Sequence, residues 1–350
     1  MSQAPDPTIH TLSEFLLHAG TNFQFFDLGR GVHPLDTQLF LDLENGLRPC
    51  PRPRQQHAWF AIVFWSEGQK PNHYIWFVKF PIDERGLLVA AARNHFLQII
   101  VDALGQSLGE EKHDTLPDNP YSFVPTQSQM ALFSAVTKSC LSLPFNDGVK
   151  EVEHYVNAPA ISDWRKLSVQ SIADFAQTLR DETTCHTVAQ NMALYHEDFT
   201  RILLESAEAV SLPTAFKQHC AQYCADTFSS SPALALAALR ALSSEQADTI
   251  SQTLLNTLLD SKHADIHVLS VIAGRHYGQL SGHRLIQFFE RAAALDEDES
   301  MEGKLFAGFF SDLVQLPCLR AEVLGVLRST ERSEVLARAF GHLFSQTQKK

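Results

Sequence analysis

Trp59-Phe60-Ala61-Ile62-Val63-Phe64-Trp65, followed after Ser66 to Asn72 by His73-Tyr74-Ile75-Trp76-Phe77-Val78-Lys79-Phe80, is the segment on which the reading of the fold turns. Two apolar, aromatic-rich runs joined by a short connection holding Gly68 and Pro71 predict an antiparallel hairpin. Successive side chains of a strand point to opposite faces, yet Trp59, Ala61, Val63 and Trp65 are as apolar as Phe60, Ile62 and Phe64. Both faces of this hairpin must therefore be covered, at least one of them by helices.

Working back from the hairpin, Pro49, Pro51 and Pro53 make an extended connector, because proline fixes φ and disfavours helix in its predecessor. Before it, Asp36 to Glu44 reads as a helix stopped by Asn45-Gly46, and Asn22 to Leu28 as a strand closed by Gly29. Thr11-Leu12-Ser13-Glu14 is a capping box that opens a short helix ending at Ala19-Gly20. After the hairpin, Asp83-Glu84-Arg85-Gly86 predicts a turn and Leu87 to Leu104 a helix. The order helix, strand, helix, strand, strand, helix defines a small α+β module over residues 1–113.

The chain changes character near residue 120. Residues 114–125, with Leu116-Pro117-Asp118-Asn119-Pro120 and Val124-Pro125, read as a linker. Residues 126–350 hold no strand pattern and instead a train of amphipathic helices. In Ser168 to Arg180, Val169, Ile172, Ala173, Ala176 and Leu179 fall on one helical stripe. Ser231-Pro232 predicts a helix start, and Ser243 with Gln246 a capping box. His263 to Arg275, His283 to Leu295, Met301 to Leu316, Leu319 to Arg328 and Glu331 to Phe344 continue the series. Starts near Pro232, His263 and Ser300 lie at intervals close to those of helical-hairpin arrays. Short connections force antiparallel neighbours. The expected fold is an α+β N-terminal module followed by an all-α array of antiparallel helical hairpins, an irregular HEAT-like solenoid. A helical bundle is the alternative.

Length and composition exclude several classes. The 350 residues are 45% apolar and 19% charged, too apolar for disorder and enough for two cores. The longest apolar run, Ala58 to Trp65, is far short of the roughly 20 residues that span a bilayer, and the first thirty residues predict no secretory signal. Lys+Arg of 28 against Asp+Glu of 40 gives a net charge of −12, which disfavours nucleic acid and anionic membranes and favours a basic protein or peptide as partner. The 6 cysteines are scattered, with no C-x-x-C pair, so the expectation is a reduced, cytoplasmic protein with mostly buried, inert thiols.

Chemistry-bearing motifs are sparse. Leu28-Gly29-Arg30-Gly31-Val32-His33 follows a strand but lacks the third glycine of a dinucleotide loop, and Pro34 interrupts the helix that should follow; a strand-to-helix turn is expected. His219, Cys220 and Cys224 place two thiols at i and i+4, half of a zinc site, without a second pair to complete it. His263 and His267 share the same spacing. Cys185 and His186 are adjacent and point about 100° apart on a helix, so they do not make a nucleophile and base. Glu110-Glu111 and Asp296-Glu297-Asp298-Glu299 read as solvated loops. Arg48, Arg52 and Arg54 form a local cationic cluster on the extended connector, read first as a solvated loop and otherwise as suited to a partner's acidic groove. His73 and Lys79 lie on one face of the second hairpin strand and mark it as an edge, which a partner strand could join although charges there more often prevent pairing. No cofactor is implied.

Gln55-Gln56-His57-Ala58-Trp59-Phe60-Ala61, His73 to Pro81, Asp83 to Gly86, and Trp164-Arg165-Lys166-Leu167-Ser168-Val169-Gln170 resemble a bacterial family of uncharacterised proteins, classed as a domain of unknown function. The resemblance runs over nearly the entire chain. It implies a bacterial, cytoplasmic origin and transfers no catalytic residue. Two functions follow as expectations. The first is a non-catalytic adaptor that binds a protein or peptide on stacked helices. The alternative is an enzyme or small-ligand-binding regulator with its site in an interdomain cleft.

Overall fold

A computed structural model describes residues 9–66, 73–107, 117–243, 246, 248–329 and 332–347. It divides into two compact units, Met1–Pro125 with Gln315–Pro317, and Thr126–Val314 with Cys318–Lys350.

The first unit runs α1 (Leu12–His18), β1 (Thr21–Asp27), β2 (His33–Leu35), α2 (Thr37–Glu44), β3 (His57–Ser66), β4 (His73–Pro81) and α3 (Ala90–Ser107). The sheet is antiparallel in the order β2-β1-β3-β4. The hairpin forms as its composition demands, with Trp65 opposite His73 and Phe60 opposite Val78. One face carries Phe25, Phe60, Ile62, Val78 and Phe80 into a core closed by Leu12, Leu16, Phe40 and Phe96 from the helices. On the opposite face Phe26, Ala61 and Val63 are also buried. Phe40 stacks on Phe25 with centroids 3.7 Å apart and meets Phe60 edge-on at 5.1 Å.

The helix starts follow local chemistry. Thr11 and Glu14 form the reciprocal capping box, and Asp36 caps α2 through the amides of Gln38 and Leu39. The buried carboxylate of Glu44 adds a second cap, accepting from the Leu12 and Ser13 amides and the Ser13 hydroxyl. Burial pushes that carboxyl above its ordinary range, against the pull of those hydrogen bonds.

Gly29 and Gly31 do not lead into a helix as expected. They turn the chain from β1 into β2, a three-residue strand that contains Pro34. Proline is tolerated there because β2 lies at the sheet edge. Gly29 is required for packing: a Cβ at that position would sit 1.8 Å from the Arg52 carbonyl oxygen. Part of the segment read as a linker joins this unit. Lys79 donates to the Tyr121 carbonyl and Phe123 donates to the Phe77 carbonyl, so Tyr121 to Phe123 lie strand-like along β4.

In the second unit every element among the described residues is helical. The helices are α4 (Gln127–Cys140), α5 (Val149–Asn157), α6 (Val169–Ala176), α7 (Glu182–Asn191), α8 (Glu197–Ser206), α9 (Thr214–Thr227) and α10 (Pro232–Ala241). They continue as α11 (Thr249–Asp260), α12 (Ile266–Arg275), α13 (His283–Asp298), α14 (Lys304–Leu313), α15 (Arg320–Val326) and α16 (Glu334–Thr347). Alternate helices pack on one another and make two rows. One row is α5, α7, α9, α11 and α13; the other is α4, α6, α8, α10 and α12. Starts at residues 149, 182, 214, 249 and 283 give the first row a spacing of 32 to 35 residues.

Polar side chains stitch successive hairpins. Asn191 and Tyr195 both donate to the Val156 carbonyl, and His276 Nε2 donates to the Leu239 carbonyl at 2.9 Å. The buried Glu208 carboxylate holds Arg240 at 2.9 Å and Arg275 at 2.8 Å. Asp174, fully buried, accepts from Lys138 Nζ at 2.7 Å and from the Asn146 amide at 2.9 Å.

Three expectations change here. Ser243 and Gln246 do not cap α11: Asp248 does, and the Ser243 hydroxyl donates to the Arg275 carbonyl. Asp265 caps α12, which therefore starts at Ile266 and not at His263. Asp296 to Asp298 belong to α13 and are not loop. Asp296 is buried and accepts from the amides of Gly303 and Phe306, fixing the turn into α14. Glu110 and Glu111 lie outside the described residues.

Candidate functional site

The structure takes the three connector arginines to three different partners. Arg48 pairs with Asp42 at 3.2 Å on the surface. Arg52 reaches the buried Asp27 at 3.5 Å. The Arg54 guanidinium lies 4.3 Å from the Trp59 ring centroid, while Trp59 Nε1 donates to the Arg54 carbonyl. Lys79 also faces the Trp59 ring, at 5.2 Å, and His73 sits 5.3 Å from Trp65.

His219, Cys220 and Cys224 part company. Cys220 and Cys224 are buried, and their thiols are pushed well above the ordinary range, first by burial. Among the described residues no group of three or more His, Cys, Asp or Glu side chains is arranged to hold a metal ion. Cys50, Cys185, Cys220 and Cys224 are buried, as expected of most of the thiols, while Cys140 and Cys318 are exposed.

His219 instead lines a cleft of about 580 Å³ between α7 and α9. Asp181 caps α7 through the Thr184 amide at 2.7 Å, and this fixes the direction of the first turn. Glu182, His186 and Ala189, at i, i+4 and i+7, then fall along one wall. Pro213, Phe216 and His219 form the other. The Phe216 and His219 rings are nearly parallel, 11° apart with centroids at 6.2 Å.

Two side chains of this cleft, His219 and Cys185, are tuned toward their uncharged forms. Burial lowers the His219 imidazole below its usual range, and its Nε2 has no hydrogen-bond partner among the described residues. Cys185 donates to the Leu179 carbonyl at 3.2 Å, and burial, with Asp181 and Glu182 nearby, raises its thiol to about 11. A protonated thiol committed to a carbonyl is a poor nucleophile. What remains is a slot with apolar and aromatic surface from Ala189, Pro213, Ala215 and Phe216, the His186 and His219 imidazoles beside it, and the Glu182 carboxylate at its exposed rim.

Motif spacing gives no sign of this cleft, because its walls come from successive hairpins. The only available signal was the interval between first-row helices, which sets Glu182 to Ala189 beside Pro213 to His219.

A family model described as a protein of unknown function, DUF3549, matches residues 7–344. The chain belongs to the DUF3549 family. The match runs through both units, so the sheet and the helical rows are parts of one family architecture. No curated protein and no solved structure matches the chain. No helix among the described residues is long and apolar enough to cross a membrane.

Proposed function

We propose that this DUF3549 member is a non-catalytic binding protein of the bacterial cytoplasm, whose HEAT-like helical array holds a basic segment of another protein. The observation that carries the reading is the cleft between α7 and α9. It opens between successive hairpins, as ligand grooves of helical repeats do, and its thiol and its tuned imidazole are held uncharged. A slot of this kind suits an apolar stem with a cationic head, the stem against Phe216 and Ala189 and the head at Glu182. The net charge of −12 favours approach of the same partner at longer range.

The test compares affinity purification of the intact protein from its native host with that of Ala189→Trp, which fills the slot, and Glu182→Lys, which reverses its rim. One stoichiometric basic protein retained by the wild type and lost from both variants supports the reading. A retained metal or metabolite without a protein partner defeats it.

A further inference from the structure

Among the described residues the outer edge of β4 is occupied over only part of its length, and the register of the occupied part fixes what the rest offers. Lys79 N–H donates to the Tyr121 carbonyl at 2.8 Å, and Phe123 N–H donates to the Phe77 carbonyl at 3.1 Å. Main-chain groups alternate in direction along a strand. The odd-numbered residues of β4 therefore turn their N–H and C=O outward, away from β3. The next outward residues are Ile75 and His73.

Continuing the Tyr121–Phe123 register would bring Pro125 opposite Ile75. Proline has no N–H to donate, so the chain's own coverage stops there. Among the described residues the outward main-chain groups of Ile75 and His73 pair with nothing. The side chains around this stretch are also accessible: Tyr74 is 48% exposed and Ile75 41%. Tyr74 is stacked on Phe64 at 5.5 Å on one face, and His73 lies against Trp65 on the other. Lys79, the charge that would guard this edge, is turned onto the Trp59 ring.

We propose that β4 accepts an extended, uncharged segment of a partner protein as an added strand, bonded through the main chain of Ile75 and His73. The chain's own Tyr121–Phe123 shows that this edge takes such a segment, and the apolar side chains on both faces favour β-branched and aromatic residues in alternation. This site lies in the sheet unit and does not depend on the cleft reading above.

The experiment uses the full chain and a fluorescein-labelled peptide of alternating threonine and valine, about seven residues long as an ordinary strand is, with lysine at each end. Fluorescence anisotropy should rise with protein concentration. N-methylation of one alternate set of peptide amides should abolish the rise, and methylation of the other set should leave it. Ile75→Pro removes an outward N–H without touching the β3 ladder and should weaken binding at least about tenfold, the worth of one or more hydrogen bonds. Pro125→Ala, which lets the protein's own strand extend, should weaken binding without altering β4. Ala189→Trp should change nothing. No anisotropy change, or equal loss from both methylated sets, would overturn the proposal. So would a dimer in sedimentation that Ile75→Pro dissolves, since the edge would then belong to a second copy.

Discussion

The two units solve the same problem of burial in opposite ways. In the sheet unit residues far apart in sequence converge on one aromatic centre: Phe25 from β1, Phe40 from α2, Phe60 from β3, Phe80 from β4 and Phe96 from α3. In the helical unit each hairpin packs chiefly on the adjacent ones, and polar side chains such as Glu208, His276 and Asp174 fasten the seams. A single shared centre makes every member depend on every other. A chain of neighbouring contacts makes each seam a local affair. Non-directional packing serves the first, whereas the second also needs directional bonds that set one hairpin against the next.

The contrast breaks or sharpens at four points. Phe40→Ala should be the most damaging, at about 4 kcal/mol, because it empties the position where two other rings meet. Three of the four tryptophans, Trp59, Trp65 and Trp76, lie in this unit and Trp164 in the helical one, so most of the tryptophan fluorescence transition should fall in denaturant while the helical CD signal moves little. An equal shift of both would remove the distinction between the units. Glu208→Ala should cost about 3 kcal/mol, since it leaves Arg240 and Arg275 facing each other without their shared anion. Here the helical CD transition should move, and of the fluorescence only the part from Trp164 should move with it.

Acid comes next. Burial holds the His276 imidazole near 4, below its usual value, so the unfolded chain takes up its proton first. Its contribution is intact above about pH 6.5 and lost as pH falls toward 4, a loss on the order of 3 kcal/mol. Burial alone would raise the Glu208 carboxyl, but Arg275 and Arg240 outweigh it and hold it at about 2. Its contribution is lost in a separate window, from about 4.5 down to 2. Helical stability against pH should thus show two steps, and His276→Asn should erase the upper one. A single step at the lower pH in the wild type would contradict the buried neutral imidazole. Thr126→Ala, which removes the cap of α4, should cost only about 1 kcal/mol and confine faster amide exchange to that helix end.

The sheet hairpin and the helical stripes were legible because each rests on a long period that few alternatives satisfy. Trp59 to Trp65 is apolar on both faces, and Val169 to Leu179 keeps helical spacing throughout. The misreadings were all short-range. Pro34 hid β2, because three residues at an edge need only a few ladder bonds. Ser243 and Gln246 imitated a capping box, yet the serine hydroxyl found a carbonyl on the following hairpin and Asp248 took the cap. Asp296 to Glu299 looked solvated by charge alone, while Asp296 is drawn inside by two amides of the next turn. The cleft was invisible for a different reason. His219 was grouped with Cys220 and Cys224 by adjacency, although a helix turns neighbouring side chains to different sides.

The 32-to-35-residue spacing of the first row has a mechanical consequence. Pulled from its two ends, the helical unit should not rupture all at once. It should pay out chain in increments of one hairpin, each lengthening the tether by roughly 110 Å at about 3.3 Å per extended residue. The force record would then be a staircase whose tread is set by that interval.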